Sequence, residues 1–401
     1  MSNRIHLLEI GADSFLSNDN HRRILHKERR LNLSKYVAMY HLVLYSDHFA
    51  KGINIEREQE NLIVYRIGCF KYLVPFKVLQ VAFSIFKKNR IDLISAVDPL
   101  LCGFLGYLLK IAFRVPLNVQ LHFDYFSSYF WEDQNFLLKL IRKQCIKKVL
   151  QNCDSVRAVS SAQKRFIENK FRGIKVIEIV PTPLDTALRN LQKIDGTICD
   201  KYRSSIKTKL LIYVGRLEPS KDLNTLLKAM CLIKDGYEDV KLLIIGIGSK
   251  EGDLKRVSKE MNLEQYVVFL GSISNEKLFS YYCGCDVFVF SSKHEGRGTV
   301  LVEAGLSKKP IVVTRFSSAQ ELIVDGETGF IVNIGDYKTF AEKVLVLLND
   351  PQVAIEFGYK SYEHTLKMIN SSNNIEYLAK LWEKTVEVFN RKTIKNFKTI
   401  L

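Results

Sequence analysis

Short apolar runs alternate along this chain with longer stretches in which apolar positions recur at helical spacing. In the front half, residues 5–10, 38–45, 62–67, 93–96, 117–122, 155–158 and 175–180 read as strands. Between them, 20–33, 74–88, 101–113 and 135–151 read as helices. Strands separated by helices of this length predict a parallel sheet with helices on both faces.

Pro181-Thr182-Pro183-Leu184-Asp185 stops the pattern, and a polar stretch runs on to about Lys209. A second alternation follows: 209–214, 223–233, 241–245, 253–261, 267–270, 275–282, 287–290, 299–307, 310–314 and 339–348. A final helix is expected over about 374–391, across the region between domains. The predicted architecture is α/β, with two doubly wound Rossmann-like domains facing a cleft. They cover 1–190 and 205–373, and the tail 374–401 packs back on the first. Ligands of such sheets bind at the carboxyl ends of the strands.

Composition changes little in this picture: 47% hydrophobic and 25% charged residues are ordinary for globular domains. Charge adds more. The net +16 is uneven, since residues 1–200 carry 30 Lys+Arg against 19 Asp+Glu, and 201–401 carry 29 against 24. A basic front half suits nucleic acid, an anionic membrane surface or an acidic substrate. No nucleic-acid module with interleaved aromatics is present, so nucleic acid is not an expected partner. The apolar segment 73–86, ending in Lys87-Lys88, fits either a membrane surface or a buried helix with a solvated basic end. The longest apolar run, 100–113, is broken by Lys110 and is short of the ~20 residues a crossing needs. Charged residues within 1–10 argue against a signal peptide. The eight cysteines are scattered without zinc-ligand spacing, as in a reduced cytoplasmic protein.

Four segments carry candidate chemistry. Val214-Gly215-Arg216-Leu217-Glu218-Pro219-Ser220-Lys221 ends a strand in a basic turn, where Arg216 and Lys221 suit a diphosphate. Leu243-Ile244-Ile245-Gly246-Ile247-Gly248-Ser249 hints weakly at a dinucleotide fingerprint and is better read as a tight strand-to-helix turn. Phe269-Leu270-Gly271-Ser272-Ile273 ends another strand, where a base can lie against backbone. The most informative is His294-Glu295-Gly296-Arg297-Gly298-Thr299-Val300-Leu301-Val302-Glu303. It sets two carboxylates eight positions apart around a helix start, and the free N–H groups of that start suit a phosphate. Ribose, diphosphate and hexose of a sugar nucleotide have that layout.

Together these segments resemble the carboxy-terminal half of family-4 retaining glycosyltransferases, which have the GT-B fold. The resemblance runs from Gly215-Arg216-Leu217 and Lys221 through the paired glutamates to Lys309-Pro310-Ile311-Val312 and Asp325-Gly326-Glu327-Thr328-Gly329-Phe330. The front half is only loosely similar, at Val119-Gln120-Leu121-His122 and Ala158-Val159-Ser160-Ser161. The resemblance implies that Arg216 and Lys221 neutralise the leaving diphosphate. Gly298, Thr299 and Val300 would hold a phosphate oxygen through their N–H groups. Glu303 would bind the ribose, and Glu295 the transferred sugar. His122 would contact the sugar or acceptor, or else be an ordinary buried or surface histidine. Departures are Arg297 where an aromatic is common, Ser317-Ser318-Ala319 where a Gly-rich turn is common, and one glycine, Gly11, where the first turn often has two.

No Asp-x-Asp is present, so no metal and no other cofactor is expected. The partners expected are a nucleotide sugar and a glycan or polyprenyl-linked acceptor, with an anionic membrane surface as a further candidate. Two alternatives stay open here: a nucleotide-sugar epimerase or glycogen-synthase-like enzyme of the same architecture, and a non-catalytic sugar-nucleotide-binding protein.

Overall fold

The computed structural model describes residues 4–12, 20–46, 49–132, 135–181, 194–195, 197–296, 298–370 and 374–400. Backbone contacts divide the chain into two units. The first is Met1–His122, Gln134–Thr182 and Asn373–Leu401; the second is Phe123–Asp133 and Pro183–Ser372.

The first unit contains, in order, β1 (His6–Ala12), α1 (Asn20–Ser34), β2 (Met39–Ser46), β3 (Gly52–Gln59), β4 (Leu62–Gly68), α2 (Val74–Lys88) and β5 (Leu93–Ala96). Then come α3 (Leu101–Phe113), β6 (Leu117–Gln120), α4 (Phe136–Asn152), β7 (Ser155–Ala158), α5 (Ser161–Lys170) and β8 (Val176–Ile179). Its sheet has the order β3-β4-β2-β1-β5-β6-β7-β8. Every neighbouring pair is parallel except β3 with β4, which is antiparallel. Apolar spacing does not predict β3 because it buries no apolar side chain, so no face of it has to be apolar.

The second unit contains β9 (Lys209–Val214), α6 (Leu223–Gly236), β10 (Val240–Ile245), α7 (Glu251–Glu260), β11 (Val267–Gly271), α8 (Asn275–Gly284) and β12 (Val287–Phe290). It continues with α9 (Thr299–Leu306), β13 (Ile311–Thr314), α10 (Ala319–Leu322), β14 (Gly329–Val332), α11 (Tyr337–Asn349) and α12 (Pro351–Asn370). The sheet order is β11-β10-β9-β12-β13-β14, all parallel. β12 and β13 are buried along their whole length, as strands covered on both faces must be. Apolar spacing did not mark α10, β14 or α12.

The last helix, α13 (Asn374–Ile400), is longer than its sequence pattern predicts and packs within the first unit. Leu378, Leu381 and Trp382 join the core formed by Leu7, Leu42, Val64 and Leu93. Trp382 Nε1 donates to Asn118 Oδ1 at 3.3 Å, and Thr385 Oγ1 to Ser155 Oγ at 2.7 Å. Beside these lies a polar chain between strands. Arg157 Nη1 donates to Gln120 Oε1 at 2.7 Å, and Gln120 Nε2 to Glu9 Oε2 at 3.1 Å. Burial pushes the Glu9 carboxyl up, and Arg29, Tyr40 and Arg157 oppose that rise.

Candidate active site

In the second sheet the strand order runs outward from β9 in one direction and from β12 in the other, and β9 pairs with β12. At such a reversal the loops leaving the two carboxyl ends diverge and open a crevice. The loop after β9 carries Arg216 and Lys221; the loop after β12 carries Glu295. Topology therefore brings together groups that lie 74 positions apart in sequence.

The two loops are stitched together. Lys293 N donates to Ser220 O at 2.9 Å, Ser291 Oγ to Lys221 O at 2.9 Å and Ser292 Oγ to Ser220 O at 3.3 Å, while Thr314 Oγ1, at the end of β13, donates to Ser292 O at 2.6 Å. On this frame Lys221 Nζ forms an ion pair with Glu295 Oε1, and Ser292 Oγ donates to the same oxygen at 3.2 Å. Lys221 is 8% exposed and also lies over the Phe290 ring, so the pair is sheltered from water but not sealed. Lys221, expected at the diphosphate, is also the partner of the carboxylate expected at the sugar. Arg216 is exposed, and among the described residues no carboxylate pairs with it. Both Glu295 and Arg216 act on the buried Tyr213 phenol: burial and Glu295 push its pKa up, and Arg216 opposes them.

Gly298, at φ +72°, is the N-cap of α9 and has no side chain with which to cap it. The N–H groups of Thr299 and Val300 thus open the helix without a cap from that residue. Gly298 is fixed there by conformation and space, since a Cβ would meet the Phe316 ring at 3.0 Å. Glu303, further along α9, accepts from Tyr282 OH at 2.8 Å. Burial, and then Glu303 itself, hold the Tyr282 phenol protonated, so it remains a donor that aims this carboxylate. Arg297 lies outside the described residues.

The glycine turns have structural explanations. A Cβ on Gly246 would meet Gly215 O at 1.9 Å, and one on Gly248 would meet Leu217 O at 2.4 Å. The Ile-Gly-Ile-Gly segment is therefore a close backbone contact between the loops after β9 and β10, as the tight-turn reading expected. Ile273, after β11, is partly buried against the apolar core. Asp325 Oδ1 accepts from Ile331 N at 2.9 Å, so the Asp-Gly-Glu-Thr-Gly-Phe match shapes the turn into β14.

His122 and Gly11 belong to the first unit. His122 follows β6 at its carboxyl end and is partly buried. Gly11 is in β1, where a Cβ would lie 3.3 Å from Leu44 and from Val97. The segment after Ala12 lies outside the described residues until Asn20. Sequence reasoning missed Phe123–Asp133, which groups with the second unit. Glu132 pairs with Lys293 at 3.1 Å, and the Phe130 ring meets His294 edge-on at 5.7 Å. Burial and the Lys221 ammonium push the His294 pKa down, and among the described residues its Nδ1 is buried without a hydrogen-bond partner. The one signal that could have found this segment is its density of aromatics, Phe123, Tyr125, Phe126, Tyr129, Phe130 and Trp131.

Residues 197–364 match the family model described as glycosyl transferases group 1, and residues 41–188 match that of glycosyltransferase family 4. An uncharacterized glycosyltransferase of Methanocaldococcus jannaschii is 25% identical over 86% of this chain and 91% of its own. A Campylobacter jejuni N-acetylgalactosaminyltransferase, named for a diphospho-undecaprenol substrate, is 31% identical over 39% of this chain and 42% of its own. Among solved structures, Anabaena HepE in complex with UDP-glucose aligns with a TM-score of 0.69 at 19% identity, covering 96% of this chain and 100% of that one. No described helix is long and apolar enough to cross a membrane. The chain belongs to the family-4, group 1 glycosyltransferases and has their two-sheet GT-B fold.

Proposed function

We propose that this glycosyltransferase is retaining and metal-independent, moving a hexose-type sugar from a nucleotide diphosphate sugar to a glycan or lipid-linked acceptor in cell-surface polysaccharide or glycolipid synthesis. The observation that carries this reading is the Lys221–Glu295 ion pair at the point where the strand order reverses, with Arg216 exposed on the same loop. A cation bonded to a carboxylate holds both groups in place before substrate arrives, so little reorganisation is left for the transition state.

In this mechanism Arg216 and Lys221 take up the charge of the departing diphosphate, and the N–H groups of Gly298, Thr299 and Val300 hold its oxygens at the start of α9. Glu303, aimed by Tyr282, accepts from the ribose hydroxyls. The base lies along the backbone near Gly271 and Ile273. Glu295 sits against the transferred sugar and stabilises positive charge growing at its anomeric carbon. The leaving diphosphate takes the acceptor proton. His122 contacts the sugar or acceptor, and Gly11 lets its backbone approach the donor. No metal and no other cofactor has a part in the reaction.

The UDP-glucose bound by the Anabaena protein supports the donor class, and the name of the Campylobacter relative supports a polyprenyl-linked acceptor. The reading places the enzyme in the cytoplasm, peripheral on the inner face of the cytoplasmic membrane. It is tested by incubating the protein with a panel of nucleotide sugars and acceptors in EDTA and reading the anomeric configuration of the product by NMR. Product with the donor's configuration is expected. An inverted product, or turnover abolished by EDTA, overturns the reading.

A further inference from the structure

Three helices of the first unit carry more apolar surface than their own sheet covers. α2 turns Val74, Val78, Val81 and Ile85 inward, yet Phe76 on its other side is 72% exposed and Phe83 is exposed too. α3 buries Cys102, Leu105 and Leu109, while Phe104, Leu108 and Ile111 form a second, exposed stripe at helical spacing. α4 is the extreme case. Its buried residues, Ile146, Val149 and Leu150, all lie in its second half. Its first two turns leave Phe136 75%, Leu137 65%, Leu138 42%, Leu140 44% and Ile141 58% exposed. α3 packs beside both α2 and α4, so the three outer stripes adjoin.

The charge of these helices narrows what can cover them. None of the three contains an Asp or Glu. α2 ends in exposed Lys87 and Lys88, and α4 carries Lys139 beside its apolar turns and exposed Lys147 and Lys148 behind them. A second copy of the same face would set lysines against lysines with no carboxylate to answer them. An anionic bilayer meets both features: the apolar tips enter the boundary between headgroups and acyl chains, and the lysines stay at the level of lipid phosphate. We propose that the outer face of α2, α3 and α4 docks on an anionic membrane surface, with the first two turns of α4 as its deepest element. The inference gives the membrane-facing part of the proposed function a surface, and it does not depend on the transfer chemistry.

The test is co-sedimentation of the full chain with phosphatidylcholine vesicles, with and without about one-third phosphatidylglycerol. The expected result is pelleting with the anionic vesicles only, weakened by salt as the lysine contribution is screened. Leu137→Glu/Ile141→Glu and Lys147→Glu/Lys148→Glu each reduce pelleting roughly tenfold or more. Both pairs are exposed, so neither change disturbs packing. Donor hydrolysis measured without vesicles stays at the wild-type rate in both, which separates failure of docking from failure of the active site. Equal pelleting with neutral vesicles, no pelleting with either, or variants that pellet like wild type overturn the proposal. So does a change in oligomeric state in the variants without loss of vesicle binding, which would assign the face to a protein contact.

Discussion

In the second unit the charged residues stand on the rim: two loops at the carboxyl ends of an apolar sheet are tied to each other and present Arg216, Lys221 and Glu295. In the first unit the polar groups lie between strands. Glu9, Gln120 and Arg157 are joined there, and Asn118 and Ser155 reach a helix from the far end of the chain. Rim groups lie in loops outside the sheet and can be lost without opening the core. Interior groups satisfy one another away from water, so removing one leaves a buried neighbour short of a partner. The comparison therefore predicts opposite consequences for two sets of polar residues: loss of turnover in one, loss of fold in the other.

The largest effect is expected at Arg157. It is fully buried and donates to Gln120 and to Val180 O. Arg157→Ala leaves Gln120 Oε1 without its donor and removes a charge that opposes the burial of Glu9, and it should cost ~3–5 kcal/mol in urea unfolding. A loss below ~1 kcal/mol would erase the distinction between the units. Next is Glu295→Gln, which keeps the shape and removes the charge. It should lower kcat by ~10²–10³ while leaving the unfolding midpoint near wild type. Near-normal turnover would remove Glu295 from the chemistry.

A smaller effect is expected at Glu303. Glu303→Ala should raise the KM for donor ~10-fold or more with kcat nearly kept, since a hydrogen bond to a charged group is worth ~1.5–3 kcal/mol. A fall in kcat with KM unchanged would place it at the reacting centre instead. The mildest concerns pH. Burial pushes His41 down to about 4 from 6.5. The unfolded chain takes up this proton near 6.5 and the folded chain only near about 4, so stability falls as pH drops through that window and is level above it. Unfolding midpoints measured from pH 7 downward should decline in wild type and decline less in His41→Leu.

Much of the fold was legible because parallel strands buried on both faces are largely apolar, and β9 and β12 end where their apolar runs end. β3 was not legible because its apolar side chains, Ile53 and Ile55, face solvent. The site was legible as a set of charges but not as a pairing. Nothing in the local pattern around Lys221 announces Glu295, because the strand order joins them. Tyr282, which aims Glu303, reads in the sequence as one more apolar helix position. The same holds for the contact of Phe130 with His294, which depends on a loop folding back onto a distant turn. Exposure of the first turns of α4 was equally hidden, since apolar spacing says which residues share a face but not whether anything covers it.

Titration calorimetry of a nucleoside diphosphate into the protein, with EDTA present throughout, measures directly whether the two cations replace a metal at the diphosphate. Binding without metal, weakened about tenfold or more in Arg216→Ala and likewise in Lys221→Ala, is the predicted result. Binding that requires a divalent cation, or that is unchanged in both variants, contradicts it.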